Sequence, residues 1–126
     1  MSEEPEEKRI YKGAVIAEGL DDPKVINALS VCGARVTDDN MPIDYEGNVG
    51  RWHIYEVKVS KREIDQLQKH ILHGWYAHFW RGNTILVVFN DKLFRIKRDD
   101  RSTWRGAVAH GRSQGIPEDE LDFPTQ

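Results

Sequence analysis

Apolar and polar positions follow two rhythms along this chain, one of period two and one near 3.6, and the switches between them mark most of the elements. Residues 10–20 form a short apolar run broken by glycines, which predicts a first strand. Asp22 can cap a following helix, with Pro23 at its first position, where the missing N–H costs nothing. Val25, Ile26, Leu29 and Cys32 recur at helical spacing, and Gly33 supplies a left-handed stop. Residues 34–37 predict a second short strand. DDNMPIDYEGNVG, residues 38–50, is rich in turn formers and predicts a flexible loop of a length often reserved for function. RWHIYEVKV, residues 51–59, reads as a third strand, aromatic and β-branched.

Ser60 and Glu63 have capping-box spacing, and Ile64, Leu67 and Ile71 form the apolar stripe of the helix they open. Gly74 is the expected end of that helix. Three strands follow almost without loops: WYAHFWR, TILVVF and LFRIK. Gly82-Asn83 is a strong two-residue hairpin signal, and Asn90-Asp91-Lys92 marks a second tight turn. Asp100 or Ser102 then caps a last helix carrying Trp104, Val108 and Gly111, stopped by Gly115 before Pro117. The pattern predicts an α+β fold. It has an antiparallel sheet of five to six strands and about three helices, with a ferredoxin-like opening, then a β-meander and a C-terminal helix. One domain is expected over 9–117, with a disordered acidic tail at 1–8 and an acidic C-terminal tail at 118–126.

The hairpin fixes which side chains share a face. If Arg81 pairs with Thr84, His78 lies opposite Val87, Trp80 opposite Ile85 and Tyr76 opposite Phe89. That face, extended by Phe94 and Ile96, is expected to meet the main core. The other face carries Trp75, Ala77, Phe79, Leu86, Val88 and Leu93 and is too apolar to leave in water. The C-terminal helix, through Trp104 and Val108, is its nearest cover; a second subunit, giving a homodimer through this second face, is the other.

Composition narrows the function classes. A chain of 126 residues with 39% hydrophobic and 31% charged residues can build a real core, and no apolar run is long enough to span a bilayer. The acidic start is not the pattern expected of a secretory signal, and the single Cys32 fits an expected reducing cytoplasm. A net charge of −3 argues against a protein dominated by nucleic-acid electrostatics. The charge is uneven, however. Residues 92–112 carry seven bases against two acids, whereas the stretch from 118 onward carries four acids and no base.

KHILHGWYAHFWRG, residues 69–82, concentrates His70, His73 and His78 with four aromatics. Helical geometry separates His73 from the inward stripe, and His78 sits on a strand beyond a glycine, so the three do not converge; no metal and no cofactor are expected. His70 and His73 suit the last helical turn, where positive charge complements the dipole. His78 is the one candidate acid/base, in mid-strand among aromatics. Tyr76, His78 and Trp80, with His53 or Tyr55 from the third strand, are the expected lining of a ligand pocket facing the 38–50 loop. Arg95, Lys97, Arg98, Arg101 and Arg105 form the candidate nucleic-acid surface. Nucleotide-binding glycine motifs and serine-nucleophile motifs are absent.

WYAHFW, the hairpin with ILVVFNDKLF, STW and GIPEDELDF resemble segments of a group of small prokaryotic proteins of unknown function, over roughly residues 50–123. The resemblance implies a stand-alone cytoplasmic protein and transfers no functional residue. The reading that follows is a non-catalytic protein that binds a ligand or partner, or regulates. Its rivals are an RNA or single-stranded nucleic-acid binder and a small enzyme using His78.

Overall fold

A computed structural model of the chain describes residues 8–43 and 46–123. Its strands in chain order are β1 (Tyr11–Ile16), β2 (Ser30–Val36), β3 (Met41–Pro42), β4 (Val49–Gly50), β5 (His53–Val59), β6 (Ala77–Arg81), β7 (Thr84–Val88) and β8 (Leu93–Lys97). The α-helices are α1 (Lys61–Gln68) and α2 (Arg105–Ser113). Six strands form one sheet in the order β2-β5-β1-β6-β7-β8, with every neighbouring pair antiparallel. β3 and β4 make a separate two-stranded sheet. The fold is α+β, with an antiparallel sheet and a helix after its last strand.

The local signals explain most boundaries. Ser60 accepts from the backbone N–H of Glu63, and the Glu63 carboxylate accepts from the Ser60 N–H, so α1 opens on a complete capping box. The β6–β7 turn pairs Arg81 with Thr84, and the register continues through Trp80–Ile85 and His78–Val87, as the Gly-Asn hairpin requires. Gly82 has φ +57°, the conformation for which glycine is suited.

Several expectations fail, each for a physical reason. The helix expected through Cys32 is a single 3-10 stretch, Pro23–Ala28, capped by Asp22. Among its apolar residues only Ile26 is buried, so no stripe supports a longer helix, and Ser30 to Val36 instead pairs with β5. Cys32 therefore lies exposed on an edge strand, at an irregularity between Val31 and Gly33. α1 ends at Gln68 rather than near Gly74, because residues 70–72 turn their backbone bonds toward residues 19–21. Asp21 N–H donates to the His70 carbonyl at 2.9 Å, and Leu72 N–H to the Gly19 carbonyl at 2.8 Å. His70 and His73 thus lie past the helix, not in its last turn. The 38–50 segment is not a loop throughout, since β3 and β4 pair Met41 with Gly50 and Pro42 with Val49. The tail expected at 1–8 falls almost wholly outside the described residues.

Two cores flank the sheet. On one face Tyr11, Val15, Val57, Val59, Ala77, Phe79, Leu86 and Val88 meet Ile26, Ile64, Leu67 and Ile71. On the other, Ile85, Val87, Phe89 and Ile96 meet Trp104 and Ala107 together with Ile116, Leu121 and Phe123. The covers are therefore the reverse of those expected: α1 closes the Phe79 face, and α2 closes the His78 face. On the Phe79 face, where a second subunit was the alternative cover, the chain's own elements hold Phe79, Leu86 and Val88 at 0% exposure. Within the expected acidic tail, Leu121 and Phe123 are buried, and residues 124–126 lie outside the described residues. Leu121 packs against Gly111 of α2, and Phe123 (φ +44°) stacks near Trp104 and Tyr76 at ring separations of 5.2 and 5.4 Å.

Candidate functional site

The α2 face is covered over only half its width. α2 and the C-terminal stretch lie over β6, β7 and β8, and the same face of β1 and β5 stays open. Cross-strand pairing sets what that face presents. Ala14 stands between Glu56 of β5 and His78 of β6, and the row continues through Val87 to Phe94. The neighbouring row runs from Arg35 through Ile54 to Ile16. At Ala14 a methyl group is flanked by two large side chains, so the floor drops there.

A cavity of about 630 Å³ occupies this space. Ala14, Ile16, Ile54, Glu56, His78 and Trp80 form the sheet side, with Arg35 at the outer strand. Gly115 to Pro117, with Glu120 and Asp122, form the opposite wall, and Trp52, Pro42, Trp75 and Tyr76 complete the rim. Trp52 fixes the β3–β4 corner by donating its Nε1–H to the Pro42 carbonyl at 3.0 Å, and its ring lies 5.4 Å from that of Trp75. Trp75 is seated because Gly19 leaves room for it; a Cβ on Gly19 would come within 2.8 Å of the indole.

The C-terminal wall is fastened at both ends. Buried Gln114 accepts from the Gly74 N–H at 3.0 Å and donates to Asp91 at 3.3 Å. His110 Nε2 meets the same Asp91 carboxylate at 2.8 Å, and this bond is the chief cause that holds the Asp91 carboxyl below its usual range. Farther on, the Tyr76 hydroxyl donates to the Glu120 carbonyl. Burial, with the nearby Asp122 and Glu120 charges, pushes the Tyr76 phenol far up, so it is a neutral anchor at any ordinary pH. Burial also raises the Glu120 carboxyl, helped by the Asp119 and Asp122 carboxylates.

The structure brings Tyr76, His78 and Trp80 together on one cavity. His78 is 6% exposed, with its ring 5.3 Å from Trp80 and 6.1 Å from Tyr76. The partners proposed from β5 have the wrong parity. His53 turns outward to Glu18, Nδ1 to carboxylate 2.6 Å, and Tyr55 packs against the α1-side core. Trp52, Ile54 and Glu56 line the cavity instead, and the 38–50 segment contributes Pro42. Alternation along β5 carried that signal once the face of β6 was known; nothing in the sequence marked Glu120 and Asp122.

His70 pairs with Asp21 at 2.8 Å. Among the described residues no group of three or more His, Cys, Asp or Glu side chains is placed to hold a metal. Arg95, Lys97, Arg98, Arg101 and Arg105 are all exposed, but they divide. Arg95 and Lys97 pair across to Leu86 and Thr84 and so share the α1 face, whereas Arg101 and Arg105 ride the cover of the opposite face. The Arg101 guanidinium lies 4.1 Å over the Trp104 ring. Among the described residues no helix is long and apolar enough to cross a membrane. Comparison of the chain with protein-family models, with curated proteins and with solved structures finds no match.

Proposed function

We propose that this chain is a binding protein for a small organic ligand, held between the open half of the α2 face and the C-terminal wall. The single observation that carries the reading is the cavity. Its volume falls within the 300–1,000 Å³ typical of ligand sites, and it joins apolar walls to a few charged groups. A non-catalytic role is favoured because the Tyr76 hydroxyl, on the same strand face as His78, is committed to a backbone carbonyl and does not exchange a proton at ordinary pH. The division of the basic residues over two faces gives the nucleic-acid reading no comparable support.

Fragment screening by NMR tests the proposal on the intact chain. Bound fragments should move the indole N–H resonances of Trp52, Trp75 and Trp80, and leave Trp104, which lies outside the cavity lining, unmoved. Ala14→Phe should abolish those shifts by filling the floor while preserving the rest of the spectrum. Fragments that scatter over the surface and ignore Ala14→Phe would overturn the proposal.

A further inference from the structure

We infer that the cavity selects an organic cation, a small molecule with an apolar or aromatic body and a protonated amine or quaternary ammonium head. The inference rests on the ligand-binding reading above and adds the chemistry of the ligand.

Two independent features of the lining carry it. The first is aromatic. Trp52, Trp75, Tyr76 and Trp80 all contribute to the lining, and the negative face of an aromatic ring attracts a cation, most strongly for tryptophan and most of all where water is excluded. The second is the balance of charge. Three carboxylates, Glu56, Glu120 and Asp122, face one guanidinium, Arg35, and the histidine His78. Among the described residues no ion pair engages any of the three carboxylates. An anionic ligand would have to enter a lining richer in carboxylates than in cations, and a neutral one would leave the repulsion between Glu120 and Asp122 in place. A cation relieves it.

The carboxylates divide between two ends. Glu56 lies against the outermost strand, β2, which also carries Arg35, while Glu120 and Asp122 lie beside Tyr76, next to β6 on the other side of β5 and β1, with no lysine or arginine of the lining at that end. The cationic head therefore belongs at the Tyr76–Glu120 end, over the aromatic rings, with the apolar body lying along Ile16, Ile54 and Ala14. The raised Glu120 carboxyl fits a site whose positive partner is supplied from outside.

Three probes of matched size separate this inference from the reading beneath it: 2-phenylethylamine, 2-phenylethanol and 3-phenylpropionate, titrated at millimolar concentration into the full chain and followed at the tryptophan indole resonances. The amine should bind about tenfold more tightly than the alcohol, and the carboxylate most weakly. The double variant Glu120→Gln/Asp122→Asn should lower amine affinity by about the same factor and leave the alcohol unchanged. Glu120→Gln keeps the backbone carbonyl that anchors Tyr76, so the wall stays in place, and the Trp104 resonance reports that the fold does too. Equal binding of amine and alcohol, or preference for the carboxylate, overturns the cation inference and leaves the cavity as a ligand site. No shift at Trp52, Trp75 or Trp80 with any probe overturns both.

Discussion

The two faces of one sheet are finished differently. On the α1 side, the 3-10 stretch, α1 and the segment through Ile71 together close the surface, and Val59, Phe79, Leu86 and Val88 are wholly buried. On the α2 side, α2 is nine residues long and lies over the β-meander, and the C-terminal stretch adds a second, narrower cover. A helix with its side chains is about 10 Å across, whereas strands are about 4.8 Å apart, so one helix hides roughly two strands of a sheet six wide. The cavity is what remains. It arises from a shortage of cover, and the residues there are those a solvent-facing sheet can tolerate: Ala14 at the floor, charge at Glu56 and Arg35, and aromatics at the margin.

The largest expected contrast between the faces is in stability. Phe79→Ala removes a fully buried ring from the closed side and should cost about 3–5 kcal/mol, whereas Ile16→Ala, on the cavity wall and only half-buried, should cost about 1 kcal/mol. Urea denaturation of the two variants measures the difference directly. Similar costs would mean that the α2 face is as tightly closed at β1 as the α1 face, and the comparison would collapse.

The C-terminal wall can be disturbed from α2. A Cβ on Gly111 would meet Leu121 Cδ2 at 2.7 Å, so Gly111→Ala should push Leu121 from its seat at a cost of about 1–3 kcal/mol, reduced by the helix-propensity gain of about 1 kcal/mol. Gly106→Ala is the matched control in the same helix. Its Cβ would meet only the Phe94 ring edge, at 3.2 Å, and the change should be close to neutral. If Gly111→Ala is as harmless as Gly106→Ala by thermal unfolding, the wall is not braced on α2.

What the sequence makes legible follows from which physics is local. The hairpin register was readable because two turn residues set it, and every face assignment in the meander then followed from alternation. The start of α1 was readable because its capping box lies within four residues. The covers were not, because periodicity shows that a face must be buried and says nothing of what buries it. α2 and α1 each offered an apolar stripe, and only the chain path sends one to each side. The same gap hid Leu121 and Phe123: set among four acids they read as a tail, although the apolar spacing of Ile116, Leu121 and Phe123 was present. His53 and Tyr55 have the polar-tipped rings that suit a pocket, whereas pairing of β5 with β1 puts Ile54 and Glu56 on the cavity side.

A smaller effect should leave the cavity untouched. Ser60→Ala breaks the capping box of α1 and should cost about 1 kcal/mol. Burial pushes the Glu63 carboxyl up, but bonds from Arg9 and Ser60 outweigh it and hold the group below its ordinary range. That stabilisation is present above the unfolded-state value and fades as pH falls toward the lower folded one, so the Ser60→Ala deficit should shrink in acid. Binding of a cavity probe should not change in this variant, because α1 covers only the opposite face; altered binding would mean that the two faces are coupled through the sheet.

The smallest effect has the opposite sign and belongs to the cavity side. Burial, with Asp119 and Asp122, raises the Glu120 carboxyl in the folded chain. The charged form is therefore disfavoured by folding. The cost is fully present above the raised folded value and disappears as pH falls below the unfolded one, so between the two values stability should rise with acidification. Glu120→Gln should flatten that rise in the pH dependence of the urea midpoint. A bound amine acts against it: by favouring the charged carboxylate it lowers the Glu120 value again, so binding should release a fraction of a proton and weaken as the solution is acidified through the raised value. Calorimetry of 2-phenylethylamine binding in two buffers of different ionisation enthalpy measures that release. A slope of zero in wild type, equal to that of Glu120→Gln, would place the ammonium group away from Glu120 and separate the charged end of the cavity from the site of binding.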